Sequence, residues 1–145
     1  MKFSTRIRYG VRALLEIAMR ENNEGVLQKE ISTNQGISLK YLDHIIIALK
    51  VSDLIRNVKG KKSGYVLTRP ASQISMLDIH NAFEPNLNVV DCLTEGYVCE
   101  KRGVCASEWF WCRVNRQVNE LFRDTTLQDL IDKQKELDLK KLSVL

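Results

Sequence analysis

Apolar residues recur along this chain first at a helical period, then at a period of two, then at a helical period again. Over residues 3–21, Ile7, Val11, Leu14, Leu15, Ala18 and Met19 keep helical spacing, with Arg6, Arg8, Arg12 and Arg20 among the polar positions. This predicts a long opening amphipathic helix, ended by the turn Asn22-Asn23-Glu24-Gly25. A second helix is predicted over about 27–34. In Gln35-Gly36-Ile37-Ser38, Gly36 permits a tight turn and Ser38 can cap the first amides of a third helix running to about Val51. In that third helix Leu42, Ile45, Ile46 and Leu49 form a buried stripe, leaving Lys40, Asp43, His44, Ile47 and Lys50 on the other side. Two short helices joined by a glycine-containing turn are a helix-turn-helix candidate whose second helix would enter the major groove.

The period then becomes two. Residues 54–58 and 65–68 read as short strands flanking Lys59-Gly60-Lys61-Lys62-Ser63-Gly64, a hairpin with lysines at its tip. Such a wing places its lysines on phosphates or in a narrow minor groove. Arg69-Pro70 closes the unit. Ser75 can cap a short helix reaching Phe83, with Met76, Ile79, Ala82 and Phe83 inward, and Pro85 stops it. Residues 86–103 show little periodicity and read as a loop. A long helix is predicted from about Cys105 to Phe122, with Phe110 or Trp111, Val114, Val118, Leu121 and Phe122 on one side. Asp124-Thr125-Thr126 breaks it and caps a last helix from Leu127 to about Leu137. The fold class is therefore mainly α with a small β-hairpin wing.

Charge sharpens this picture. Residues 1–70 carry thirteen Lys and Arg against six Asp and Glu, and the remainder nine against twelve, so the front is +7 and the back −3. A polyanion-binding front joined to a partner-facing back would produce this split, and a merely solvated basic surface is the competing account. No run of eighteen apolar residues occurs, and the opening residues lack a secretory signal's apolar core, so a cytoplasmic protein without a membrane span is expected. There are no paired carboxylates in a pocket-like setting, no Ser-His-Asp arrangement and no Gly-rich phosphate loop, so no enzyme is expected.

The candidates for groove contacts are Ser38, Lys40, Tyr41, Asp43 and His44, at the capped start and outward face of the third helix, and Lys59, Gly60, Lys61 and Lys62 in the wing. Tyr41 reads equally well as a core-edge aromatic. Asp43 repels phosphate yet can accept a hydrogen bond from cytosine N4, although a surface salt bridge to Lys40 or Lys50 is as reasonable.

All four cysteines, Cys92, Cys99, Cys105 and Cys112, lie within 21 residues. In a reducing compartment this favours metal, cluster or redox chemistry over disulfides. Their spacing matches neither zinc knuckles nor CxxC oxidants, whereas widely spaced loop thiolates can wrap an iron-sulfur cluster. Lys101 and Arg102 would offset a cluster's negative charge and lower the thiol pKa values.

The opening Phe3-Ser4-Thr5-Arg6-Ile7-Arg8-Tyr9-Gly10-Val11-Arg12-Ala13-Leu14, the segment Gly36-Ile37-Ser38-Leu39-Lys40-Tyr41-Leu42, the wing Val58-Lys59-Gly60-Lys61-Lys62-Ser63-Gly64-Tyr65 and the three-cysteine loop resemble the Rrf-two (Rrf2) family of winged helix-turn-helix transcription regulators, the IscR- and NsrR-like group. The resemblance spans about residues 2–137. It implies a homodimer whose long C-terminal helices cross, with each head reading half of a near-palindromic operator on double-stranded DNA. It also implies redox or nitric-oxide sensing through an iron-sulfur cluster, 2Fe-2S or 4Fe-4S, with Cys92, Cys99 and Cys105 as ligands, residues 38–44 as the reading helix and Lys59-Gly60 in the wing. The implied organisation is a winged helix-turn-helix domain over 1–84, a cysteine-bearing sensor loop over 85–105, and a dimerisation helix with a C-terminal helix over 106–145.

The chain departs from the family pattern in three respects. The gap from Cys92 to Cys99 holds six residues rather than five. Glu108 stands where related members carry a ligating histidine, and Arg8 lies near the place of their ligating helix-one carboxylate. Cys112 or Glu108 is then the candidate fourth ligand, with Cys112 alternatively a small hydrophobe in the dimer helix. The competing functional reading is a cluster-free thiol-redox or zinc-binding protein-interaction module.

Overall fold

The computed structural model describes residues 1–20, 24–59 and 63–144. Gly60, Lys61 and Lys62 of the expected wing, and Asn22 and Asn23 of the expected first turn, lie outside the described residues. The elements are α1 (Thr5–Met19), α2 (Gln28–Gln35), α3 (Leu39–Val51), β1 (Ile55–Asn57), β2 (Tyr65–Leu67), α4 (Met76–Asn81), α5 (Ala106–Asp124) and α6 (Leu127–Ser143), with 3-10 turns at Ala71–Gln73 and Asp91–Leu93. Among the described residues no helix is long and apolar enough to cross a membrane.

Short polar side chains set four helix starts by accepting otherwise unpaired amides. Ser4 Oγ accepts from Ile7 N at 3.4 Å, Ser38 Oγ from Tyr41 N at 3.2 Å, Ser75 Oγ from Asp78 N at 3.1 Å and Thr126 Oγ1 from Asp129 N at 3.2 Å. At α4 and α6 the third residue's carboxylate reaches back to the cap's own amide, closing a capping box. Gly36 ends α2 in the left-handed region at φ 62°.

The stripe of α3 is buried as its spacing predicts, at Leu42, Ile45, Ile46 and Leu49. The stripe of α1 is rotated from the expected one: Ile7, Gly10, Ala13, Leu14, Ile17 and Ala18 are buried, Val11 and Leu15 are half-buried, and Met19 is exposed. The reason is steric. A Cβ on Gly10 would stand 2.3 Å from Phe83 Cε2, so only glycine lets the ring that follows α4 lie on α1. The small residues turn the contact face toward themselves.

β1 and β2 are antiparallel, with Arg56 opposite Val66 and Asn57 opposite Tyr65. Their base is fastened to the segment before α2, where Val26 N donates to Tyr65 O at 3.0 Å and Tyr65 N to Val26 O at 2.8 Å. That approach requires glycine on both sides. A Cβ on Gly64 would meet Gly25 C at 2.5 Å, and Gly25 has φ +72°.

After α5 the chain returns to the head. Leu127 N donates to Ile74 O and Met76 N to Thr125 O, both at 2.8 Å, and Leu127 and Ile131 join the same hydrophobic cluster as α1 and α3. α6 runs to Ser143 rather than stopping near Leu137, because Lys133, Glu136, Lys140 and the Gln134–Asp138 pair continue its i,i+3 and i,i+4 contacts.

α5 differs from the other long helices in burying no residue at all. Val114, Val118 and Phe122 on its expected inner side are half-buried, while Trp109, Phe110, Trp111 and Leu121 are exposed.

Candidate nucleic-acid interface and cysteine loop

Because α3 turns Leu42, Ile45, Ile46 and Leu49 inward, Ser38, Lys40, Asp43, His44 and Lys50 stand exposed on one outer face. Tyr41 is half-buried at the core edge, its ring edge-on to Tyr9 with centroids 5.6 Å apart. Lys59, at the described margin of the wing, is exposed. The helix-turn-helix is clamped from behind: Arg12 on α1 donates through Nε to Gln35 Oε1 at 3.1 Å, and its guanidinium also bonds the Gln35 carbonyl.

Asp43 makes no salt bridge to Lys40 or Lys50. Its Oδ1 accepts from Gln28 Nε2 at 2.5 Å, and Gln28 Oε1 accepts from the Tyr65 hydroxyl at 3.3 Å. Lys50 Nζ instead donates to Asn57 Oδ1 at 2.7 Å and lies 6.0 Å from the centre of the Tyr65 ring. Gln28, Tyr65 and Asn57 thus join the outer face of α3 to the wing. No periodicity marks them, because the partners are 15 and 37 residues apart.

The cysteine loop is built differently. Side-chain amides on α5 hold its first part: Val89 N donates to Asn115 Oδ1 at 2.9 Å, and Asn119 Nδ2 donates to Leu87 O at 2.8 Å. Cys92 sits in the Asp91–Leu93 turn, Cys99 lies in the following loop and Cys105 is the N-cap residue of α5; all three are half-buried, Cys112 is exposed, and all four are free thiols. Arg102 donates to the Cys92 carbonyl at 2.8 Å and faces Glu108 at 4.0 Å, while Gly103 N donates to Glu108 Oε2 at 3.0 Å.

The Cys105 thiol is held below its ordinary pKa. The cause is first the Ser107 hydroxyl, 3.1 Å from Sγ, and then the amides of Glu108 and Ser107 at the start of the helix. The expected source, Lys101 and Arg102, is not among the causes; the Arg102 guanidinium is engaged by the Cys92 carbonyl and Glu108.

A groove of about 620 Å³ brings Cys105 together with both fourth-ligand candidates, Glu108 and Cys112, beside Trp109, Arg113 and Arg116. Cys92 and Cys99 do not line it. Among the described residues no three His, Cys, Asp or Glu side chains stand close enough to hold a metal ion together. The donor set therefore has the chemistry of an iron-sulfur site but is not gathered into one.

The model of the Rrf2 family, described as an iron-dependent transcriptional regulator, matches residues 3–133. Protein rrf2 of Nitratidesulfovibrio vulgaris is 35% identical over 131 residues, covering 90% of this chain and 87% of that protein. Among solved structures, CymR, the global cysteine regulator of B. subtilis, superposes with a TM-score of 0.75 at 28% identity, covering 92% of this chain and 98% of that one. The IscR of T. potens superposes at 0.76 with 27% identity, covering 94% and 90%. A cationic helix-turn-helix with its hairpin, a cysteine loop leading into a long helix and these likenesses agree: this chain belongs to the Rrf2 family of DNA-binding transcription regulators and is not an enzyme.

Proposed function

We propose that the chain works in the cytoplasm as a homodimer on a near-palindromic duplex operator, with an iron-sulfur cluster held by Cys92, Cys99 and Cys105 setting its affinity. The observation that carries this reading is the junction at residue 105: the last loop thiol opens α5, a long helix that buries no residue and leaves Trp109, Phe110, Trp111 and Leu121 exposed. A second copy of α5 would cover Trp109, Phe110 and Leu121, and a two-fold protein suits a two-fold site. In the proposed division, residues 1–84 bind DNA, 85–105 sense and 106–145 carry the dimer contact. Ser38, Lys40, Tyr41, Asp43 and His44 meet the major groove, and Lys59, Gly60, Lys61 and Lys62 meet the backbone or minor groove.

When bound, the cluster supplies a centre that reacts with oxidants and nitric oxide. This chain's residues do the rest. The Ser107 hydroxyl and the amides of α5 favour the Cys105 thiolate, and Cys112 or Glu108 completes the ligand set. If Glu108 were the ligand, its carboxylate would serve the cluster in competition with Gly103 N and Arg102, its present partners. A cluster on Cys92 and Cys105 would bring the two closer, and the Asn115 and Asn119 bonds to Val89 and Leu87 would carry that change to α5.

A second reading, control by thiol oxidation without a cluster, is favoured by the ungathered thiols and the thiolate-prone Cys105. Anaerobic reconstitution with iron and sulfide separates the two. Visible absorption, stoichiometric iron and sulfide, and an operator affinity that changes with loading are expected, and alanine at Cys92, Cys99 or Cys105 should abolish all three. A colourless, iron-free protein would sink the cluster, and an affinity that then follows thiol oxidation would establish the second reading.

A further inference from the structure

We propose that Gln28 is a positioning residue for base selection, holding the Asp43 carboxylate in the pose with which α3 reads DNA and making that pose depend on the wing. The proposal rests on the reading of α3 as the helix that enters the major groove.

The hydrogen bonds leave one arrangement. A carboxylate only accepts, so Gln28 must turn its Nε2 toward Asp43 Oδ1, 2.5 Å away. Its Oε1 then faces Tyr65, whose hydroxyl, 3.3 Å away, must be the donor. The proton order runs one way, from the Tyr65 hydroxyl to the Gln28 carbonyl and from the Gln28 amide to the Asp43 carboxylate. Three elements, β2, α2 and α3, meet in this one side chain. Tyr65 itself is immobilised, since its backbone pairs with Val26 on both sides, two residues before Gln28.

An exposed aspartate on a helix has several rotamers, and fixing one on binding costs entropy. Here Gln28 holds Oδ1 and leaves Oδ2 to accept from an exocyclic amine such as cytosine N4. A carboxylate near phosphates adds little to affinity, so its pose governs discrimination between bases far more than binding itself. The Tyr65 hydroxyl adds the dependence on the wing: a shift of β2 reaches the reading face through two hydrogen bonds.

Selection from random duplexes defines the wild-type site and the base pair that Asp43→Asn ceases to discriminate. Wild type, Gln28→Leu, Tyr65→Phe, Asp43→Asn and the Gln28→Leu/Asp43→Asn double variant are then titrated on the selected duplex and its variants at that pair, over a range of salt. Wild type is expected to discriminate about tenfold at that pair. Gln28→Leu should lose most of this with an unchanged salt slope, Tyr65→Phe should lose less, and the double variant should discriminate no worse than Asp43→Asn. Wild-type discrimination in Gln28→Leu, a uniform loss on every duplex, or additive effects in the double variant would overturn the proposal alone. Absence of any preference in wild type would overturn the reading of α3 and this proposal with it. Helical circular dichroism establishes that each variant is folded, and Tyr65→Phe, which removes one oxygen, carries the test if Gln28→Leu is not.

Discussion

The winged head and the α5 segment are both amphipathic, yet they are held by different forces. α1 and α3 bury whole side chains such as Leu14, Ile17, Leu42, Ile45 and Leu49, each of which stabilises the fold by about 1.5–3 kcal/mol. α5, with an equally clear apolar side, buries none, and the loop before it is tied to α5 by asparagine amides and to Glu108 through Arg102. Hydrogen bonds contribute about 0.5–1.5 kcal/mol each; the asparagine bonds are partly buried and the Arg102 bond to the Cys92 carbonyl is exposed. The contrast sets a densely packed head against a loop and helix with few buried apolar contacts, whose rearrangement is inexpensive. An amphipathic pattern states that a face will be covered; it does not state by what.

The comparison breaks most visibly at α6, which is distant in sequence but belongs to the head. Leu127→Ala leaves a hole beside Ile74 at the seam, and should lower the unfolding free energy in urea by about 2–5 kcal/mol. An unchanged midpoint would mean that α6 is an independent tail. Next in size is the wing. Replacing Lys59, Lys61 and Lys62 together by alanine should reduce the slope of log affinity against log salt by about 0.9 for each lysine that meets a phosphate. An unaltered slope would remove the wing from the interface and leave α3 to bind alone.

The smallest effect lies in the cysteine loop. In metal-free protein, alkylation of Cys105 should rise with pH and reach half its plateau below the ordinary thiol range, because its folded-state pKa is lowered and the thiolate is the reacting form. Ser107→Ala removes the largest cause, so the midpoint should move upward, with DNA affinity of the metal-free protein unchanged. A stationary midpoint would assign the thiolate to the helix amides alone.

Much of the head was legible residue by residue. The caps Ser38, Ser75 and Thr126 and the stripe of α3 depend on interactions within four residues, which a linear pattern records. The rotated face of α1 was not legible, because it follows from Phe83 settling on Gly10 across 73 positions of sequence. Nor was the partner of Asp43: its lysine neighbours were the local expectation, and Gln28 reaches it only because α2 and α3 fold against each other. In the cysteine loop the donor types and their order were plain, while the engagement of Arg102 and Glu108 with each other and with the backbone required the chain to turn back at Gly103.

By itself the sequence determined the helix-turn-helix, the hairpin, the basic front and the thiol donors, since each rests on spacing, capping or charge along a short stretch. The tertiary structure alone decided that α6 closes the head, that Gln28 links β2 and α3, that Cys105 shares a groove with Cys112 and Glu108, and that α5 leaves Trp109, Phe110 and Leu121 exposed. Those outcomes depend on which distant surfaces meet, and packing selects among them only once the whole chain has folded.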